Sequence, residues 1–173
     1  MSRAVADATV LIYLARLGDL HMLDELFESI VVPDAVYEEV VHRGREEGYS
    51  DAIAVEDAAE SFLDIRSVEG DTDDSATRLR ETTNLGAGEI AALALAASGD
   101  ARCLTDDHAA RRTAESLGID VGGTIYVILR ALRRDNISFQ GFETRLDALD
   151  DAGFRMSAEL YRRAIEAGEE LAE

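Results

Sequence analysis

Lysine is missing from the chain: all 17 basic residues among its 173 are arginines. That absence excludes P-loop NTPases, which need a phosphate-binding lysine. It also excludes protein kinases, Schiff-base enzymes and pyridoxal enzymes, and phosphoacceptor receiver domains, which rely on a lysine too. Cysteine occurs once, at Cys103, so no internal disulfide can form. It sits in Arg102-Cys103-Leu104-Thr105, which reads as a buried strand, where a thiol serves as a small hydrophobe. Proline occurs once, at Pro33, and tryptophan not at all. No uncharged apolar run approaches the ~20 residues of a membrane span. Residues 1–6 lack the basic start and long apolar stretch of a secretion signal. The expectation is a soluble, cytoplasmic protein without membrane contact.

What is abundant is acid. There are 36 acidic residues against the 17 arginines, for a net charge of −19. Such a field could repel nucleic acid. It could instead be an adaptation to salt, with acids spread over the whole surface and arginine in place of lysine. The acids occur in every segment and form no tail, which favours the second reading. At molar salt the Debye length is about 3 Å, so surface acids barely repel a phosphate chain. The expected host is a salt-in halophile. Length and the 47% apolar content together predict one domain with a real core.

Short strand-like runs alternate with runs of helical period. Strands are predicted over 4–6, 30–32, 63–68, 102–105 and 119–121. Helices are predicted over 9–17, 21–27, 34–43, 50–62, 75–83, 89–97, 108–117 and 124–133, with an acidic loop at 69–74. That alternation implies a parallel sheet with helices on both faces. Beyond residue 135 the pattern is purely helical. Phe139, Phe142, Leu146 and Leu149 form one stripe, and Ser157 caps a last helix. Residues 1–135 are expected to form an α/β domain and 136–173 a helical extension packed on it. The aromatics Phe139, Phe142, Phe154 and Tyr161 either pack on the core or mark an interface, of a homodimer or with another protein.

In such sheets ligands bind beyond the carboxyl ends of the strands, at a topological switch point. Acids stand where that edge is predicted. Asp7 follows the first strand. Glu39 lies on the helix after the second. Glu89 opens the helix after Gly86-Ala87-Gly88, and Asp106 and Asp107 follow the Cys103 strand. Each has a structural use open to it, as a helix cap or beside a helix dipole. Asp7, however, interrupts an apolar segment, Val5 to Ile12, and a buried acid is costly unless paired or bound to metal. Clustered carboxylates need a cation or a raised pKa. All-oxygen donors suit Mg²⁺ or Mn²⁺; His21, His42 and His108 lie at no zinc spacing.

Five segments together resemble the PIN-domain nucleases, and among them the VapC-like prokaryotic branch. They are Ala6-Asp7-Ala8-Thr9, the run from Leu26-Phe27 to Pro33, Pro33-x-x-Val36-x-x-Glu39, Gly88-Glu89 before an alanine-rich helix, and Leu104-Thr105-Asp106-Asp107. Gly122-Gly123-Thr124 and Gly153-Phe154-Arg155-Met156-Ser157 resemble one VapC-like subgroup. The resemblance spans essentially the whole chain. It implies a three-layer α/β sandwich with a central parallel sheet, and cleavage of RNA phosphodiester bonds. Carried over by position, Asp7, Glu39, Glu89 and Asp107 match the catalytic acids, with Asp7, Glu89 and Asp107 on Mg²⁺ or Mn²⁺. Thr9 matches a hydroxyl that supports the first aspartate. Asp107 falls in the metal-site place of the family's threonine-x-aspartate form, which leaves Asp106 to cap the following helix or support the site. Arg111 or Arg112 could touch the RNA backbone. VapC-like proteins are commonly toxins neutralised by an antitoxin and often dimerise. The full set of acids favours an enzyme over an inactive PIN-like module that binds RNA or protein. A phosphatase of the haloacid dehalogenase type needs an acid where Thr9 stands, and a lysine.

Overall fold

The computed structural model describes residues 2–173. Its centre is a five-stranded, wholly parallel sheet in the order β3-β2-β1-β4-β5. The strands are β1 (Arg3–Ala6), β2 (Ser29–Pro33), β3 (Leu63–Arg66), β4 (Arg102–Leu104) and β5 (Val121–Gly122). All are short, and their alternation divides the core. Ala4, Ala6, Ile30, Val32, Leu63 and Leu104 enter one apolar cluster, whereas Val5, Val31 and Cys103 enter another on the opposite face. The period of two thus assigns successive residues to opposite layers.

The first layer holds α1 (Ala8–Leu17), α2 (Met22–Leu26), α5 (Ser50–Ala59) and α9 (Thr124–Arg133). The second holds α6 (Asp71–Thr82), α7 (Ala87–Gly99) and α8 (His108–Ser116). The result is the expected α/β sandwich. Pro33 ends β2 as predicted, and the chain turns straight into α3 (Asp34–Tyr37). That helix widens into a π-helical stretch, Glu38–Arg43, before a short α4 (Gly44–Glu46). π-Helical turns are rare and concentrate at functional sites, and this one carries Glu39.

Two elements differ from expectation. The acidic segment read as a loop over 69–74 is partly helix: Asp71, Asp73 and Asp74 form the first turn of α6. Acids there interact favourably with the positive end of the helix dipole, which is why so acidic a run is helical. The last strand is displaced to Val121–Gly122, although the Cys103 N–H still reaches the Asp120 carbonyl at 2.8 Å.

The end of the chain forms α10 (Phe139–Asp151) and α11 (Ala158–Ala172). Ser138 and Ser157 cap them, accepting from the Gly141 and Leu160 N–H groups. Both helices pack against α9, enclosing a third apolar cluster around Ile128, Phe142, Leu146 and Leu149. Phe139, Phe154 and Tyr161 are packed against that cluster. The aromatics thus pack α10 and α11 onto α9, with Phe142 fully buried and Phe139, Phe154 and Tyr161 only partly so. Among the described residues no helix is long and apolar enough to cross a membrane.

Candidate active site

The strand order reverses between β1 and β4, because the chain moves outward to β2 and β3 and then returns to the other side of β1. In parallel sheets ligands bind at such a point, beyond the carboxyl ends of the two strands. Asp7 leaves β1 there, and Thr105, Asp106 and Asp107 leave β4. The ladder continues one step past the strands, with the Asp7 N–H donating to the Leu104 carbonyl at 2.9 Å.

Asp7 is 4% exposed. It is also the N-cap of α1: its Oδ1 accepts from the Ala8 N–H at 2.8 Å. Its Oδ2 accepts from the Thr105 hydroxyl at 2.8 Å. Burial nevertheless pushes its pKa from the ordinary 3.8 up to about 6; the two hydrogen bonds oppose the rise, and the charges of Glu89 and Glu39 add to it. No cationic side chain is among the groups that shift it.

Glu39 reaches this point from the π-helical stretch and Glu89 from the first turn of α7. Gly88 permits the approach. A Cβ at that position would stand 3.3 Å from Glu39 Oε2 and 3.7 Å from Asp7 Oδ1, with Val36 at 3.2 Å behind it. Glu39 is exposed, Glu89 half-buried and Asp7 buried, so the three carboxylates step from rim to floor.

Asp106 and Asp107 diverge. Asp107 Oδ1 accepts from the Ala110 N–H at 2.8 Å and so caps α8. Asp106 turns away and accepts from both the N–H and the hydroxyl of Thr124, at 2.7 and 2.6 Å, pinning the start of α9 to the end of β4. Burial raises its pKa, against the opposing pull of Thr124 and the nearby Arg111. The expected cap of α8 by Asp106 is thus made by Asp107 instead. The turn after β4 points Asp106 across to Thr124, leaving Asp107 as the last non-helical residue. Among the described residues, the second oxygen of Asp107 has no hydrogen-bond partner.

A family model described as a PIN domain, DUF3368, matches residues 3–170. The chain belongs to the PIN-domain family. No curated protein sequence matches it. Among solved structures, this PIN-domain chain is similar to one from VapBC2 of Rickettsia felis bound to a DNA fragment from their promoter. The TM-score is 0.54 at 12% identity, over 70% of this chain and 98% of the other. That likeness concerns the fold, which is the VapC-like sandwich expected from the motifs.

Thr9 does not support Asp7. Its hydroxyl is buried beside the Asp106 carboxylate, whereas the Asp7 oxygens accept from Ala8 and Thr105. The hydroxyl on Asp7 belongs to Thr105, which also accepts from the Asp107 N–H at 3.2 Å. Parallel pairing of Ala6 with Leu104 sets Thr105 directly across from Asp7, whereas Thr9 is already inside α1. In the sequence Thr105 stands only as part of the Leu104-Thr105-Asp106-Asp107 motif. Its place one residue beyond a strand paired in register with the Asp7 strand is the signal that identifies it. Among the described residues, no three acids, histidines or cysteines are drawn together to metal-ligating distance. The carboxylates share one edge and one field without closing on a point. Their donors are all oxygen, the type that hard divalent cations prefer.

Proposed function

We propose that this PIN-domain nuclease is an endoribonuclease dependent on Mg²⁺ or Mn²⁺, acting as the toxin of a toxin–antitoxin pair. The observation that carries the reading is Asp7, a buried carboxylate at the switch point, in the field of Glu39 and Glu89 and, among the described residues, matched by no cation. A structural acid in that position would be paired; three acids left to repel one another point to a positive ligand.

Asp7, Glu89 and Asp107 are the residues that would hold the ion, which when bound polarises a phosphate and activates the attacking water. The Ala8 N–H and the Thr105 hydroxyl keep the Asp7 carboxylate aimed and favour its charged form. Thr105 also fixes the backbone of Asp107, so one hydroxyl coordinates two of the three acids. Glu39, on the exposed rim, is the carboxylate left to take a proton from the attacking water. Asp106 supports the site from behind through Thr124. Arg111 and Arg112, on the first turns of α8, contact the RNA backbone.

The similarity to a VapBC2 chain supports an antitoxin as partner, and self-association of this chain is the second contact to test. Acids spread through a chain of net charge −19, with arginine alone as base, support a cytoplasmic protein of a salt-in halophile. The division into a catalytic unit over 1–135 and an extension over 136–173 is part of the same reading. The test is cleavage of a labelled RNA in molar KCl. Cutting with Mn²⁺ or Mg²⁺ and none in EDTA is expected; binding without cutting under every cation would leave an inactive module.

A further inference from the structure

A cleft of about 620 Å³ opens between α8, α9 and α11, within the roughly 300–1,000 Å³ of ligand-binding clefts. Asp106 and Gly123 line it, so it begins at the same sheet edge as the acids. Its charge is unusual for this molecule. Arg111 and Arg112 enter from α8, Arg155 from the segment before α11, and Arg163 from α11 itself. Of the 13 arginines outside the cleft, seven, Arg16, Arg45, Arg66, Arg80, Arg102, Arg145 and Arg162, have an acidic partner within 4.0 Å. Among the described residues, none of the four in the cleft does, although acids outnumber bases 36 to 17. Only Asp106 and Glu115 bring acid to the lining, and Asp106 is already held by Thr124. The remaining wall is apolar, with Leu129, Phe154 and Leu160.

We propose that this cleft holds a single-stranded stretch of the RNA flanking the cleaved phosphate, and that the C-terminal helical extension supplies half of the grip through Arg155 and Arg163. The inference rests on the ribonuclease reading. Guanidinium groups from three separate elements make a track for successive phosphates, and the apolar wall offers a surface to the bases. An acidic peptide would meet the same arginines. RNA is favoured because the track starts at Asp106, next in the chain to Asp107, and because Tyr126, Leu129, Phe154 and Leu160 give the bases an apolar surface beside the arginines. The extension then has a task in recognition beyond its packing on α9.

The test is fluorescence anisotropy of a labelled, unstructured twelve-nucleotide RNA in EDTA, at several concentrations from roughly 0.2 to 1 M KCl. The native protein is compared with the double variant Arg155→Ala/Arg163→Ala and with Arg133→Ala/Arg134→Ala, exposed arginines outside the cleft. Circular dichroism confirms that each is folded. The cleft variant should bind about tenfold more weakly at the lowest salt. Its plot of log affinity against log salt should be shallower by about 1.4, the contribution of two phosphates. The Arg133/Arg134 variant should match the native protein. Equal losses in both variants, or none in the cleft variant, would overturn the proposal. So would loss of binding to a labelled poly-glutamate peptide with RNA binding intact. RNA held by the cleft and never cut in Mn²⁺ would remove the nuclease reading and leave the cleft as an RNA-binding surface alone. Unchanged cleavage and KM in the cleft variant would do the reverse.

Discussion

Asp7→Asn should make the protein more stable at neutral pH. The carboxyl has its pKa raised from 3.8 to about 6 by burial and by Glu89 and Glu39. In the unfolded chain it ionises near pH 4. The native protein holds the proton until about pH 6, so between these values the folded state binds more protons than the unfolded one. Stability therefore falls as pH rises through that window, and the full cost is present above it. The gap corresponds to about 3 kcal/mol. Asparagine carries no charge and still accepts from the Ala8 N–H, but it presents an amide to Thr105 in place of an acceptor. Losing that bond costs roughly 1 kcal/mol. The net gain above pH 7 is about 2 kcal/mol, or a rise in Tm of roughly 4–8 °C for a chain of this size. At pH 4, where the native carboxyl is already neutral, the gain should vanish and the lost Thr105 bond should leave the variant about 1 kcal/mol less stable. The assay is thermal melting by circular dichroism at pH 4 and pH 8, in EDTA and constant KCl. A variant less stable than the native protein at pH 8, or one equally shifted at both pH values, would refute the reasoning. Adding Mn²⁺ at pH 8 should raise the Tm of the native protein and leave the variant unmoved.

Three further outcomes follow from the same geometry. Asp107→Asn should abolish cleavage without loss of stability, since asparagine caps α8 as well as aspartate does; Asp106→Asn should leave measurable cleavage and lower stability by about 1–2 kcal/mol, because its amide cannot accept from both groups of Thr124. Urea melts and cleavage rates on the two proteins separate these roles. Gly88→Ala should reduce cleavage severalfold with a small change in Tm, because its methyl group would stand 3.3 Å from Glu39 Oε2 and shift that carboxylate; steady-state kinetics read the loss. The Tm should rise from low to molar KCl as screening relieves a net charge of −19; a flat or falling series of melts would contradict the halophilic reading.

The sheet was legible because its strands are short runs of β-branched and small apolar residues whose alternation has one physical meaning. Pro33 marked the end of β2, and Ser138 and Ser157 sit where capping serines belong. Acids at strand ends followed from the same pattern, since a parallel sheet exposes only one edge at which they can gather. What stayed hidden depends on backbone direction. Thr9 and Thr105 are both hydroxyls beside aspartates in sequence, and only the pairing of β1 with β4 shows which one reaches Asp7. Asp106 and Asp107 are chemically identical neighbours, and the turn after β4 decides that the second caps α8 while the first crosses to Thr124. The π-helical widening at Glu38–Arg43 has no signature in residue types, because Val40 and Val41 suit either helix. Arg155 and Arg163 lie far from α8 in sequence, and only the folding back of α11 brings them to face Arg111 and Arg112.

The central claim is that Asp7 and its neighbouring acids cut RNA with a divalent cation. Single-turnover cleavage of a labelled RNA by the native protein and by Asp7→Asn, both shown to be folded, tests it most directly when run in Mn²⁺ and in EDTA. The account predicts cleavage only by the native protein in Mn²⁺, with the variant slower by roughly a hundredfold or more. Undiminished cleavage in EDTA, or a variant that cuts at the native rate, would contradict it.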